Sequence, residues 1–285
     1  MFGLFRKKEK LIPLAEVEVI PVLDSVVAEG SGMRFLIGNA QHQGQRDYQE
    51  DSFGVSDTSQ TAIDQKGLMA VLADGMGGLS NGKEISQKAV SNILGWFASS
   101  ATLCNDAETM KSVVIAMNDE LCSAFGNDCG MKSGTTLVTA LIKEGFLHWL
   151  CVGDSRLFLK RGDRLYQMNE DHDYLNQLLD GVIDGDINLS KVFSDPQKDS
   201  LAVCIGKKDL DLFDYSKQGF RLEDGDILVL CSDGVYNALS MDEMIDNITG
   251  EPMTDAERIK QTILSKGIPH QDNNTIIIVK YNTKG

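Results

Sequence analysis

The sequence contains no Cys-x-x-Cys pair, no apolar run long enough to span a membrane, no basic stretch rich in aromatics, and no internal repeat or low-complexity segment. Each absence removes a class of function. Six cysteines without metal-site spacing, Cys104, Cys122, Cys129, Cys151, Cys204 and Cys231, read as reduced thiols, and Cys151 and Cys231 lie inside apolar runs expected to be buried strands. The short basic start, Arg6-Lys7-Lys8-Glu9-Lys10, leads into an apolar stretch broken by Glu16, Glu18 and Asp24, so neither a signal peptide nor a span fits. The expected location is the cytoplasm. A net charge of −15 argues against a nucleic-acid partner, whose affinity would rest on Lys and Arg replacing condensed counterions. There is also no Gly-x-Ser-x-Gly and no cysteine beside a phosphate-binding loop, so no covalent nucleophile is evident.

What is present is ordinary material for a core: 285 residues, 42% of them hydrophobic, enough for one sizeable domain or two small ones. Residues 1–32, closing on Glu29-Gly30-Ser31-Gly32, read as an extension, with the domain proper over 33–285. Strand-length apolar runs occur at Phe35–Ile37, Leu68–Ala73, Leu137–Ile142, Phe146–Val152, Ile227–Cys231 and Thr275–Val279. Lys143-Glu144-Gly145 and Arg161-Gly162-Asp163 are short connections that predict antiparallel hairpins. Apolar residues at helical spacing, Ile85, Ala89, Ile93 and Phe97, then Met110, Val114, Met117, Leu121 and Phe125, predict two amphipathic helices. Further helices are expected over Met241–Ile248 and Thr254–Ser265, the second capped by Thr254. Helices between groups of antiparallel strands indicate an α+β fold with sheets inside and helices outside, rather than a doubly wound parallel sheet.

Two of the apolar strands finish on a carboxylate, in Asp74-Gly75-Met76-Gly77-Gly78 and in Ser232-Asp233-Gly234. A third ends at Gly153-Asp154-Ser155-Arg156, and Asp272-Asn273-Asn274 precedes the last strand. Asp-Gly alone is a common turn pair. Four aspartates at sheet-end turns are another matter, because gathered like charges repel unless cations lie among them. Oxygen ligands without His or Cys at metal spacing point to Mg²⁺ or Mn²⁺ rather than zinc.

The ordered series Arg46-Asp47-Tyr48-Gln49-Glu50-Asp51, Asp74-Gly75-Met76-Gly77-Gly78, Ser133-Gly134-Thr135-Thr136, Gly153-Asp154-Ser155-Arg156, Ser232-Asp233-Gly234 and Asp272-Asn273-Asn274-Thr275 resembles the type-2C, metal-dependent protein serine/threonine phosphatase family in its bacterial-like branch. The resemblance runs from Gln43 to the C-terminus. It implies a four-layer α-β-β-α sandwich with two central, mainly antiparallel sheets. It also implies hydrolysis of phosphoserine and phosphothreonine by a water or hydroxide activated between two Mn²⁺ or Mg²⁺ ions. Asp74 would bridge the two cations, the Gly75 carbonyl would be a ligand, and Asp233 and Asp272 would complete one site. Glu50 would hold the second cation through water, with Asp51 bonding to coordinated waters. Arg46 would grip the substrate phosphate with a planar fork. Asp154 together with Asp233 would hold a third, weaker cation.

Further implications concern departures and partners. Met76 stands where many eukaryotic relatives carry His, so coordinated water would be the expected acid. Gln49 replaces the usual Asn, one methylene longer, without removing a ligand. His172 matches a position near the site, whereas His148 lies in an apolar strand and reads as structural. Residues 173–200 match the flap that borders the site. Expected partners are phosphorylated proteins and a cognate Ser/Thr kinase, with the protein itself a monomer. Two alternatives remain at this stage: a catalytically weak phosphoprotein-binding module, and a small-molecule phosphatase on the same fold.

Overall fold

The structure is a computed structural model, described over residues 26–77, 81–100, 107–125, 133–198 and 200–284. Residues 1–25, Cys104 and Cys129, on which parts of the sequence reading fall, lie outside the described residues.

Two six-stranded sheets form the middle. The first runs β1 (Val26–Glu29), β2 (Met33–His42), β14 (Asn274–Thr283), β13 (Ile227–Cys231), β9 (Arg156–Arg161), β10 (Arg164–Gln167), every pair antiparallel. The second runs β11 (Asp214–Tyr215), β8 (Phe146–Val152), β7 (Leu137–Lys143), β4 (Leu68–Ala73), β3 (Ser52–Val55), with β12 (Phe220–Arg221) also on β8. A short ladder joins β5 (Gly75–Met76) to β6 (Gly134–Thr135).

The period-two alternation of a strand sorts its side chains between two cores. In β4, Leu68, Ala70 and Leu72 enter the cluster between the sheets, with Phe35, Leu228 and Ile277 from the opposite sheet. Met69, Val71 and Ala73 instead pack with Ile85, Ile93 and Val114, which belong to α2 (Asn81–Ser99) and α3 (Ala107–Phe125). On the other sheet Ile227, Val229 and Cys231 face away from its partner and pack with Val235, Met244, Ile259 and Ile263. Those residues come from α6 (Asp233–Tyr236), α7 (Met241–Asn247) and α8 (Pro252–Ser265). The result is helices, sheet, sheet, helices, the α+β sandwich expected. Strands buried on both faces explain why these antiparallel segments read as continuous apolar runs rather than alternating ones. Three smaller helices complete the described set: α1 (Gln60–Lys66), α4 (Tyr174–Ile183) and α5 (Leu189–Val192), the last two inside the segment matched to the flap.

The β7–β8 hairpin turns on Glu144 and Gly145, both with positive φ (51° and 78°), the geometry that matches strand twist in a two-residue loop. At two places the elements begin earlier than the sequence indicates. Val26–Glu29 forms β1 on β2, and Gly30–Gly32 is the hairpin connection rather than the end of an extension, pinned by Asp64, which accepts from Ser31 N–H and Oγ. The sheet thus starts ahead of the boundary placed at residue 33. Helix α8 opens at Pro252, not at a Thr254 cap. Proline's fixed φ suits the first helical position. The buried Asp255 ties down the loop ahead of the helix, its Oδ2 accepting from the N–H groups of Thr249, Gly250 and Glu251 at 3.0, 2.8 and 3.0 Å.

Candidate active site

The sheet ends bring the expected residues to one seam of the sandwich. Asp51, leading into β3 of one sheet, is buried, and its Oδ2 accepts from Ser232 Oγ (2.9 Å) and Thr275 Oγ1 (2.7 Å) of the other sheet. Thr275 is in turn contacted by Gln41 Nε2 at 3.0 Å. One carboxylate therefore ties the two sheets together where their strands deliver Asp74, Asp233 and Asp272.

The backbone at Asp74 is fully engaged. Its N–H donates to Thr136 Oγ1, and its carbonyl accepts from Thr136 N–H and Thr135 Oγ1, each at 2.9 Å. Thr136 Oγ1 also meets Ser155 Oγ at 2.8 Å, which links the Asp74 turn to the Asp154 turn. This gives the Ser-Gly-Thr-Thr segment a physical task, positioning rather than ligation. Gly75 follows because there is no room for a side chain: a Cβ would lie 2.4 Å from the Glu50 carbonyl oxygen and 2.5 Å from that of Gly82.

Charge crowding dominates the electrostatics. Burial, then the Asp51, Asp233 and Asp154 carboxylates, push Asp74 well above its ordinary value. Burial outweighs the hydrogen bonds of Asp51 and raises it to about 6. Asp233 is raised to about 6 by burial and by Asp272, with Arg46 opposing, and Asp154 to about 7 by burial and then Asp233. Each of these four acids is raised by burial and by the charge of at least one neighbouring carboxylate, which marks a place where positive charge is wanted.

Arg46 Nη2 pairs with Asp272 Oδ2 at 2.5 Å, so its partner is neither of the neighbouring acids Asp47 and Asp51. Asp272 Oδ1 accepts from Asn273 N–H at 2.8 Å. Glu50 is positioned through its backbone, its N–H donating to Asn273 Oδ1 (2.8 Å) and its carbonyl accepting from Ser86 Oγ (2.5 Å).

Asn273 is a hub to which the sequence motifs assign no role. Its Nδ2 donates to the carbonyls of Gln43 (2.7 Å) and Tyr48 (2.9 Å) while its Oδ1 takes the Glu50 N–H, so one amide shapes the whole Arg46 loop. The available signal was a polar residue at the mouth of a buried strand. Gly234 packs directly on it, since a Cβ there would sit 1.9 Å from the Asn273 carbonyl oxygen. Gln49 spends its extra length on a local bond, Oε1 accepting from Asp51 N–H at 2.9 Å. His172 is buried and structural: its Nδ1 accepts from Gly153 N–H (3.1 Å) and its own N–H donates to the Gly153 carbonyl (3.0 Å), while burial lowers its pKa. Cys122, Cys151, Cys204 and Cys231 are buried.

Among the described residues no three His, Cys, Asp or Glu side chains close tightly on a single point. Asp51, Asp74, Asp154 and Asp233 nonetheless lie within electrostatic reach of one another. Such an array suits hard cations that keep several water ligands and accept a backbone carbonyl, the habit of Mg²⁺ in particular. Two further observations fit: the donors are all oxygens, and Asp51 Oδ1 is buried with no hydrogen-bond partner.

With this geometry in place, the comparisons with known proteins have a clear meaning. The sequence pattern of the family described as Protein phosphatase 2C matches residues 39–266. The protein phosphatase PhpP of Streptococcus pneumoniae is 30% identical over 218 residues, covering 75% of this chain and 86% of PhpP. The solved serine/threonine phosphatase of S. agalactiae superimposes with a TM-score of 0.70 at 25% identity, over 86% of this chain and 98% of that one. The catalytic domain of the phosphatase PstP, solved with two manganese ions, gives a TM-score of 0.65 over 88% of this chain and 99% of its own; at 22% identity that likeness speaks to fold alone.

Proposed function

Since the chain belongs to the protein phosphatase 2C family and is a serine/threonine protein phosphatase, we propose that it works through two divalent cations, Mn²⁺ or Mg²⁺, held at the carboxylate seam. The observation that carries this reading is the placement of the half-buried Asp74 among Asp51, Asp233 and Asp154, the charge of each of which raises it.

In this reading Asp74, Asp233, Asp272, Glu50 and the Gly75 carbonyl hold the pair, Asp51 orients their surroundings, and Asp154 with Asp233 holds a third, weaker ion. When bound, such ions supply an acidified water near neutral pH and neutralise charge on the phosphoryl oxygens. The chain's own residues do the rest. Ser232 and Thr275 fix Asp51 through its Oδ2, while its buried Oδ1 takes no hydrogen bond from the described residues. Thr135 and Thr136 fix Asp74. Arg46 presents its fork to two oxygens of the phosphate and exchanges Asp272 for that substrate. In the hydrolysis a water oxygen bonds to phosphorus, the ester P–O bond breaks, and the serine or threonine oxygen leaves and takes a proton. Met76 has none to give, so that proton comes from water.

The same reading makes phosphorylated proteins the substrates and a Ser/Thr kinase the opposing enzyme, with a monomer acting in the cytoplasm. No helix among the described residues is long and apolar enough to cross a membrane. The decisive experiment is hydrolysis of p-nitrophenyl phosphate and a phosphothreonine peptide in EDTA, Mg²⁺ or Mn²⁺, for the wild type beside Asp233→Asn. Turnover that requires metal and disappears in the variant is the expected result; turnover in EDTA, or an active variant, would defeat the reading.

A further inference from the structure

Asp233 does not stand alone on its short helix. Tyr236, at the other end of the same turn, donates its hydroxyl to the backbone carbonyl of Asp154 at 3.0 Å. Its ring is covered by the Arg156 guanidinium, 3.6 Å from the ring centroid. Arg156 is itself held by a forked ion pair with Asp171, with Nη2 to Oδ2 at 2.6 Å and Nε to Oδ2 and Oδ1 at 3.0 and 3.2 Å. On its other side the helix is fastened near Asp272, because Gln271 Nε2 donates to the Gly234 carbonyl at 3.1 Å and Gly234 lies against Asn273. The chain from Asp171 through Arg156 and Tyr236 thus connects the two turns that carry Asp154 and Asp233.

We infer that Tyr236 is a positioning residue that sets the distance between Asp154 and Asp233, and with it the retention of the cation those two carboxylates share. The inference rests on the proposed third ion at that pair. A hydroxyl bonded to a backbone carbonyl fixes the turn itself rather than one rotamer of the Asp154 side chain. The guanidinium over the ring keeps the phenol from swinging away, an arrangement worth more where it is desolvated. Nothing about Tyr236 reaches the phosphate, so its effect is read on cation binding rather than on substrate.

The test is Mn²⁺ titration of the full chain, following the paramagnetic resonance of free Mn²⁺, for the wild type, Tyr236→Phe, Asp154→Asn and Arg156→Lys. Tyr236→Phe keeps the ring under Arg156 and removes only the hydroxyl. It is expected to weaken the loosest binding step about fivefold, the scale of one neutral hydrogen bond, and to leave tighter steps in place. Arg156→Lys, which loses the fork and the planar stack, is expected to weaken the same step. Asp154→Asn should remove that step altogether. If Asp154→Asn loses it while Tyr236→Phe and Arg156→Lys superimpose on the wild type, the positioning role is overturned and the third site stands. A wild-type titration from Asp154→Asn removes the third site, and the inference with it. Equal weakening of every step in Tyr236→Phe would show a general structural role and likewise overturn it.

Discussion

Arg46 Nη2 sits 2.5 Å from Asp272 Oδ2, joining the residue proposed to grip phosphate to a residue proposed to hold a cation. The pair is half exposed on the arginine side, so its own contribution to stability is small. Its value lies in keeping both groups at the same mouth of the site until better partners arrive. Replacing Arg46 with Ala should therefore raise KM for small phosphate esters about tenfold or more, with Mn²⁺ affinity preserved or improved because Asp272 loses a competitor. Steady-state kinetics with calorimetric Mn²⁺ binding would check both halves. Collapse of Mn²⁺ affinity with KM intact would mean that Arg46 has been misplaced.

The crowded acids give a pH dependence of definite sign. Asp51 and Asp233 titrate at about 6 and Asp154 at about 7 in the fold, against an ordinary value of 3.8. Folded values above unfolded ones mean that the native state binds more protons. The contribution of these groups to stability is full below their unfolded value and is lost as pH rises through the folded values. In EDTA the melting temperature should accordingly fall between about pH 4 and pH 7, and Mn²⁺ should recover the loss at the upper end. Overall negative charge pushes the same way, so the discriminating control is Asp154→Asn, whose melting profile should be flatter. A variant profile parallel to the wild type would remove Asp154 from the account.

Asn273→Ala deletes three hydrogen bonds at once, those to Gln43, Tyr48 and Glu50. The buried polar groups left behind cost about 1–3 kcal/mol each at worst, and partial rehydration of this half-exposed loop holds the total expected to about 2–3 kcal/mol. Urea unfolding measures that. Kinetically the variant should resemble Arg46→Ala, with a higher KM for phosphate esters, because the loop carrying Arg46 loses its template. A destabilised protein with wild-type KM would confine Asn273 to a structural role.

Much of this was legible in the chain because long, apolar, doubly buried strands such as Leu68–Ala73 and Ile227–Cys231 announce themselves, and a carboxylate directly after such a strand has few places to go. The alternation that assigns Leu72 to one core and Val71 to another becomes visible only once the partner layers are known. Short edge elements were hidden for a different reason. Val26–Glu29 is a strand through its pairing with Leu36 and Ile37, and four residues carry no pattern of their own. The start of α8 was misplaced because Thr254 satisfies a cap rule locally, while Pro252 and the buried Asp255 satisfy the loop before it. Asp272 lies 226 residues from Arg46, and Asn273 lies 225 from Tyr48; such partners are properties of the closed sandwich, which no local pattern encodes.

Strand β14, which Asp272 and Asn273 directly precede and which carries Thr275, lies between β2 and β13 in the interior of its sheet. On the ribosome this strand emerges after both β2 and β13, which wait for the insertion that joins them, a pairing of high sequence separation with β2 and slow closure. A nascent chain cut off before Asp272 would own Asp74, Asp154 and Asp233 but neither the strand that joins β2 to β13 nor the Asn273 amide that holds the Arg46 loop. Translation would thus withhold the proposed site until this strand has emerged.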